Sequence, residues 1–157
     1  MCENGIELLI VEDDPNDLEL TLIALRKNNL ANKVHVVRDG AEALDFLFCR
    51  GPYAGRSFDA PPRVVFLDLK LPKVSGLEVL REVKNDPRTR PVPVVVMTSS
   101  REQRDMIEGY QLGVNSYIQK PIDFDQFQQV IRDLGYYWLV VNHPPPGAAF
   151  PVVEAAA

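Results

Sequence analysis

Five polar residues of this sequence each stand where a short apolar run ends, and their side chains could together bind a divalent cation and a phosphoryl group. They are Glu12, Asp13, Asp68, Thr98 and Lys120. Carboxylate oxygens suit Mg²⁺, which proteins usually hold with one or two carboxylates and a phosphate. A hydroxyl and an ammonium can hold phosphoryl oxygens. An aspartate in such a site could act as the nucleophile and form an aspartyl phosphate.

Each of these side chains also has an ordinary structural interpretation. Asp68 could end a strand and cap a turn, Thr98 could cap a helix, and Lys120 could be a solvated lysine. Their shared position at the ends of apolar runs favours a site instead, because open parallel sheets bind ligands at the carboxyl ends of their strands.

The elements that position these residues follow from the hydrophobic periodicity. Five apolar runs predict strands buried in a parallel sheet, at 6–11, 34–37, 64–67, 92–97 and 114–118. A helical pattern follows each run, and the predicted N-caps are Asp14, Asp39, Ser75, either Ser99 or Ser100, and Asp123. The fourth helix is expected to bury Met106, Ile107 and Tyr110, and residues 49–63 are expected to form a surface loop.

Alternation of five strands with five helices predicts an α/β fold with helices on both faces of a parallel sheet. The leading architecture is a flavodoxin-like (βα)5 doubly wound sheet with strand order 2-1-3-4-5. Strands 1 and 3 then flank the point where the strand order reverses, which is where ligands bind in such sheets. The polar residues should therefore meet in one crevice, where neighbouring carboxylates repel each other unless a cation lies between them.

Composition narrows the classes of function. The 157 residues are 46% hydrophobic and 25% charged, a mixture that suits one globular domain. A net charge of −5 argues against a nucleic-acid partner. The sequence has neither a signal-peptide pattern nor an apolar run of about 20 residues, which argues against a membrane partner. Cys2 and Cys49 form neither a disulfide framework nor a metal site, so a reducing, cytoplasmic location is expected.

Four segments resemble, in order and spacing, the receiver domain of two-component response regulators over about residues 5–139. They are Ile-Val-Glu-Asp-Asp at 10–14, Phe-Leu-Asp-Leu-Lys-Leu-Pro-Lys-Val-Ser-Gly at 66–76, Met-Thr-Ser at 97–99 and Tyr-Ile-Gln-Lys-Pro at 117–121. The resemblance implies that Asp68 accepts a phosphoryl group from a histidine of a partner sensor kinase. It also implies an Mg²⁺ cofactor bound by Glu12, Asp13, Asp68 and the backbone carbonyl of Lys70.

The same resemblance implies roles for three further positions. Thr98 and Lys120 would contact the phosphoryl group, and Tyr117 would be an aromatic switch that turns inward as Thr98 moves. Tyr117 could instead be an ordinary aromatic residue of the core or the surface. The Lys120–Pro121 bond would be cis, although most X-Pro bonds are trans.

A narrower resemblance concerns the partner kinase. The long loop before strand 3 and the ending Tyr137-Trp138-Leu139 are similar to response regulators paired with cyanobacterial phytochromes. The kinase is then expected to be of the phytochrome type, with light as the signal. No output domain follows the receiver, so the signal is expected to pass through contacts with an unidentified downstream protein.

Two other functions compete with a phosphorylated receiver. A pseudo-receiver would be a binding module that is not phosphorylated, but the presence of all the required residues argues against it. A phosphohydrolase of the haloacid-dehalogenase type needs a second aspartate two residues after the nucleophile, where this sequence has Lys70. The chain is therefore not expected to be an enzyme in its own right, beyond assisting its own Mg²⁺-dependent phosphorylation and dephosphorylation.

An apolar C-terminal stretch predicts a contact surface. The last helix and its extension carry Phe127, Ile131, Leu134, Tyr137, Trp138 and Val141. This stripe could complete the core, but residues 136–141 exceed what one stripe can bury, and an exposed apolar patch marks an interface. We therefore expect a symmetric homodimer through this surface. The domain is expected to span 5–142, and the Pro- and Ala-rich tail 143–157 is expected to be poorly ordered.

Overall fold

The computed structural model describes residues 6–145 and contains the predicted alternation of strands and helices. The strands are β1 (Leu8–Val11), β2 (Val34–Val37), β3 (Val64–Leu67), β4 (Val94–Thr98) and β5 (Ser116–Gln119). The helices are α1 (Pro15–Lys27), α2 (Gly40–Leu47), α3 (Gly76–Asn85), α4 (Gln103–Leu112) and α5 (Phe124–Tyr136). A short 3₁₀ turn covers Gly51–Tyr53, and a π-helical turn, Tyr137–Val141, continues α5.

The five strands form one parallel sheet in the order β2-β1-β3-β4-β5, so the predicted fold and strand order are confirmed. All residues of β1, β3 and β4 are buried, because helices cover both faces of the sheet. One layer contains α2 and α3, and the opposite layer contains α1 and α5, which pack against each other. The register places the carboxyl ends of the four strands that carry the candidate site at one edge.

Four of the five predicted helix caps are present. Asp14 accepts hydrogen bonds from the backbone of Asn16 and Asp17, and the other three caps each accept one from the third residue of their helix. Those three are Asp39, Ser75 and Asp123. A side-chain oxygen at this position satisfies backbone N–H groups that have no partner inside the helix.

The predictions for α4 were wrong in two respects. Its N-cap is Glu102, which makes no side-chain capping bond, rather than Ser99 or Ser100. Its apolar residues are not in the core, because the exposed fractions of Met106, Ile107 and Tyr110 are 36%, 49% and 55%. The only buried residue of α4 is Gly109, since this helix packs beside the short edge strand β5 and meets little of the sheet. The result is an apolar surface on α4.

The backbone of the described residues contains no cis peptide bond. The predicted cis Lys120–Pro121 bond is therefore wrong for this structure. The trans isomer is the lower-energy form of an X-Pro bond, by about 0.5–1 kcal/mol.

The predicted surface loop between α2 and β3 is held against the edge of the sheet. The Tyr53 hydroxyl donates to Glu42 Oε2 at 2.6 Å and lies 2.9 Å from His35 Nε2 on β2. The Arg56 guanidinium carbon lies 3.7 Å from the centre of the Phe46 ring. These polar and cation–π contacts order a segment that is long for a compact domain.

The C-terminal stretch divides between core and surface. Phe127, Ile131 and Trp138 are buried against the sheet and α1, so their predicted place in an interface was wrong. Leu134 is half-buried, while the exposed fractions of Tyr137 and Val141 are 48% and 46%. The π-helical turn leaves Val141 outside the buried part of the stripe, because its turns are wider than those of an α-helix.

Two further predictions concern the ends of the chain and the membrane. Most of the predicted 143–157 tail, from residue 146 onward, lies outside the described residues. Within residues 6–145, no helix has both the length and the apolar character that crossing a bilayer requires.

Candidate functional site

The candidate site lies at the carboxyl edge of the sheet, beside the point where the strand order reverses. Glu12 follows β1, Asp68 follows β3, Thr98 ends β4 and Lys120 follows β5. The side chains of all four are buried, which for the ionisable Glu12, Asp68 and Lys120 is unusual unless they are paired. Asp13 is more exposed than Glu12 and Asp68.

Three carboxylates form a cluster with the composition of a cation site. Oxygen atoms of Glu12, Asp13 and Asp68 lie within 4.8 Å of one another. Burial, with a smaller contribution from Asp68, raises the pKa of Glu12 above its usual range, although Lys120 opposes this shift. A divalent cation would remove the cost of placing these charges together, and hard oxygen ligands with access to water suit Mg²⁺ or a similar ion. The residues present therefore fit a divalent cation.

Lys120 forms the cationic side of the crevice. Its Nζ donates to Glu12 Oε1 and Asp17 Oδ2, each at 2.7 Å, and lies 3.6 Å from Asp68 Oδ2. Burial alone would lower the pKa of Lys120, but these three carboxylates raise it above its usual value. Lys120 is therefore a fixed positive charge beside the oxygen of Asp68 rather than a solvated lysine.

Asp17 is the site residue that sequence analysis missed. An acid in the first turn of a helix is common, because it interacts favourably with the helix dipole, so the position of Asp17 carries no sign of a site. Its contact with Lys120 depends on how α1 packs against the segment that follows β5, and no short motif encodes that packing.

Thr98 connects the crevice to α4. It is fully buried, and its Oγ1 accepts a hydrogen bond from the Ser100 backbone N–H at 3.0 Å. Ser100 Oγ in turn donates to Asp105 Oδ2 at 2.6 Å and accepts from the Glu102 backbone at 3.2 Å. A movement of the Thr98 hydroxyl would thus break a bond in the loop that holds the first turn of α4.

Tyr117 lies under α4 with its hydroxyl inside the protein. The hydroxyl oxygen is buried, and burial followed by the charge of Asp105 raises its pKa, although the nearby Ser100 hydroxyl opposes this shift. The ring packs beside Gly109, where a Cβ would lie 3.3 Å from a ring carbon. The role of Tyr117 as a switch residue remains a prediction.

The loop after Asp68 is folded tightly against the start of α3. The Gly76 backbone N–H donates to the Leu69 carbonyl at 2.8 Å. A Cβ on Gly76 would lie only 2.2 Å from the Asp68 carbonyl oxygen, so this contact requires glycine. Lys70 is exposed at the rim, and its backbone carbonyl remains a predicted cation ligand.

Comparison with known proteins agrees with this geometry. The family model described as the response regulator receiver domain matches residues 8–132. The response regulator Rcp1 of Synechocystis sp. is 34% identical over 84% of this chain and 88% of its own length. A crystal structure of Rcp1 in its Mn²⁺-bound form superposes with a TM-score of 0.82 over 88% of this chain and 97% of that one.

Two other solved structures are similar. The phosphorylated cyanobacterial phytochrome response regulator RcpA is 37% identical, with a TM-score of 0.83 over 90% of this chain and 99% of that chain. The bacteriophytochrome response regulator RtBRR is 52% identical, with a TM-score of 0.71 over 91% of this chain and 86% of that chain. The chain therefore belongs to the response regulator receiver domain family and is homologous to phytochrome-associated response regulators, with a phosphoacceptor role in two-component signalling.

Proposed function

We propose that this protein accepts a phosphoryl group on Asp68 from a phytochrome-type sensor histidine kinase, with Mg²⁺ in the acidic cluster, and signals through protein contacts. One observation carries the proposal. The buried Lys120 ammonium lies 3.6 Å from an oxygen of Asp68. Asp68 also belongs to the carboxylate cluster, whose oxygen atoms lie within 4.8 Å of one another. This arrangement combines a nucleophile, a cation site and a fixed positive charge.

The transfer requires little covalent chemistry from the protein. A bond forms between an Asp68 carboxylate oxygen and phosphorus while the bond from phosphorus to the kinase imidazole nitrogen breaks, and the imidazole leaves with that electron pair. Bound Mg²⁺ would neutralise charge on the phosphoryl oxygens. Glu12, Asp13 and Asp68 would hold it, together with the Lys70 carbonyl, while Lys120 and the Thr98 hydroxyl would pair with phosphoryl oxygens.

The kinase assignment is supported by similarity. RcpA and RtBRR are named as phytochrome and bacteriophytochrome response regulators, and both align with about nine-tenths of this chain. We propose a phytochrome-type kinase as the donor, with light as the signal. We also propose that the protein acts in the cytoplasm and that its output is binding to another protein rather than enzymatic turnover.

Incubation with acetyl phosphate tests the chemistry without the kinase. We expect a gain of one phosphoryl group in the intact mass, dependent on Mg²⁺ and lost with EDTA, because the charge of the acidic cluster must be neutralised before a phosphate approaches. Peptide mapping after borohydride reduction of the acyl phosphate should locate the group on Asp68.

A reference receiver domain, labelled in parallel, is the control for the reagent. If the reference is labelled and this protein is not, the chain is a pseudo-receiver. Continued release of phosphate from small phosphate esters would instead favour the phosphohydrolase, the alternative that Lys70 disfavours.

We also propose a homodimer through the exposed apolar surface at the end of α5. This surface consists of Tyr136, Tyr137, Val140 and Val141, with Leu134 at its edge. It is contiguous and apolar, as dimer interfaces commonly are.

The substitution Tyr137→Glu tests this dimer. It should weaken self-association at least about tenfold, because an interface side chain of this type often contributes more than about 1.4 kcal/mol. Sedimentation equilibrium over a range of concentrations would measure the effect. The matched control is Ile107→Glu, which adds the same charge to the exposed face of α4. Dissociation by Ile107→Glu alone would move the interface to α4 and overturn this assignment.

A further inference from the structure

We infer that Asp17 is a positioning residue that competes with the phosphoryl group for Lys120 and so weakens the phosphorylated state. The inference rests on the proposed function of Asp68 and deepens it. It assigns a role in the same site to a residue on α1 that belongs to none of the segments carrying the family resemblance.

The Lys120 ammonium is hydrogen-bonded to two acids, neither of which is the phosphoacceptor. An ammonium has three N–H donors. Glu12 and Asp17 each accept one at 2.7 Å, whereas Asp68 lies at 3.6 Å, beyond hydrogen-bond distance. The lysine is therefore held by two acids and only approaches the phosphoacceptor.

Glu12 and Asp17 differ in their other contacts. Glu12 belongs to the carboxylate cluster, and its second oxygen accepts from the Asp14 backbone at 3.2 Å. Asp17 lies outside that cluster, its side chain is 28% exposed, and its carboxylate accepts a hydrogen bond from Lys120. A bound cation would share the charge of Glu12 but would leave the charge of Asp17 acting on Lys120.

The direction of the effect follows from charge. A phosphoryl group on Asp68 brings negative charge to the side of Lys120 that faces the crevice. Asp17 repels that charge and also retains one of the lysine donors, so both effects oppose pairing between Lys120 and the phosphoryl oxygens. Removal of the Asp17 charge should therefore strengthen that pairing.

The test uses beryllium trifluoride, a stable anionic mimic of the acyl phosphate, bound to the full chain at saturating Mg²⁺. The variant Asp17→Asn should bind it about fivefold more tightly than the wild type in titration calorimetry, a size typical of one partly exposed charge pair. Affinity for Mg²⁺ alone should not increase, since the variant loses a negative charge. If the substitution only disturbed the structure of the site, the affinities for beryllium trifluoride and for Mg²⁺ would both fall.

Glu19→Gln is the matched control, because it removes the same charge from an exposed position two residues along α1. It should leave the beryllium trifluoride affinity unchanged. Equal or weaker binding by Asp17→Asn, in a protein whose melting temperature shows that it is folded, would overturn the inference and make Asp17 an anchor of Lys120. Absence of binding to the wild type would instead overturn the proposed function.

Discussion

Asp68→Asn is expected to abolish Mg²⁺-dependent labelling by acetyl phosphate while leaving the fold intact. An amide is nearly the same size as a carboxylate but lacks the anionic oxygen that attacks phosphorus. The substitution also removes one of three clustered negative charges, so the melting temperature should stay the same or rise. Intact mass and a thermal melt on the same preparation would measure both effects.

The matched control for this substitution is Asp59→Asn. Asp59 is exposed in the loop that leads into the amino-terminal end of β3, whereas Asp68 follows the carboxyl end of this strand. This variant should be labelled like the wild type. Undiminished labelling of Asp68→Asn would show that another carboxylate, with Asp13 the nearest accessible one, is the acceptor, and the assignment of Asp68 would be wrong.

The fold was predictable because the sheet is buried on both faces. Runs such as Val64–Leu67 are continuously apolar, and capping residues mark where the helices begin. Once the strands are parallel, their carboxyl ends must share one edge, so the position of Asp68, Thr98 and Lys120 follows from topology. At these positions, the residue types that could bind a phosphoryl group stand where the topology places a ligand site.

The wrong predictions concern residues whose burial or partner depends on packing between segments that are distant in sequence. Periodicity placed Ile107 in the core, but it cannot tell that α4 covers an edge strand and meets little apolar surface. It also placed Phe127, Ile131 and Trp138 on one stripe, but it cannot tell that this stripe packs against the sheet and α1 rather than against a partner. Asp17 was missed for a related reason, since its partner Lys120 is 103 residues away in sequence.

Gly76→Ala is expected to destabilise the protein and slow phosphorylation together. The new Cβ would lie 2.2 Å from the Asp68 carbonyl oxygen and 2.5 Å from the Leu69 Cα. Both are backbone atoms, so neither can rotate away, and the loop that carries Asp68 must move. Overpacking of this kind costs about 1–3 kcal/mol. In a domain of this size, each kcal/mol lowers the melting temperature by about 2–4 °C.

The same displacement should also slow phosphorylation, because Asp68 is the residue that moves. A shift of about 1 Å in a reacting group can reduce a rate about 100-fold, so the labelling rate with acetyl phosphate should fall far more than the melting temperature alone would explain. Gly55→Ala is the matched control, since nothing lies within 4 Å of its Cβ position, and it should change neither quantity. A destabilised Gly76→Ala protein that is labelled at the wild-type rate would separate the two effects. The close contact at Gly76 would then support the stability of the loop without fixing the position of the phosphoacceptor.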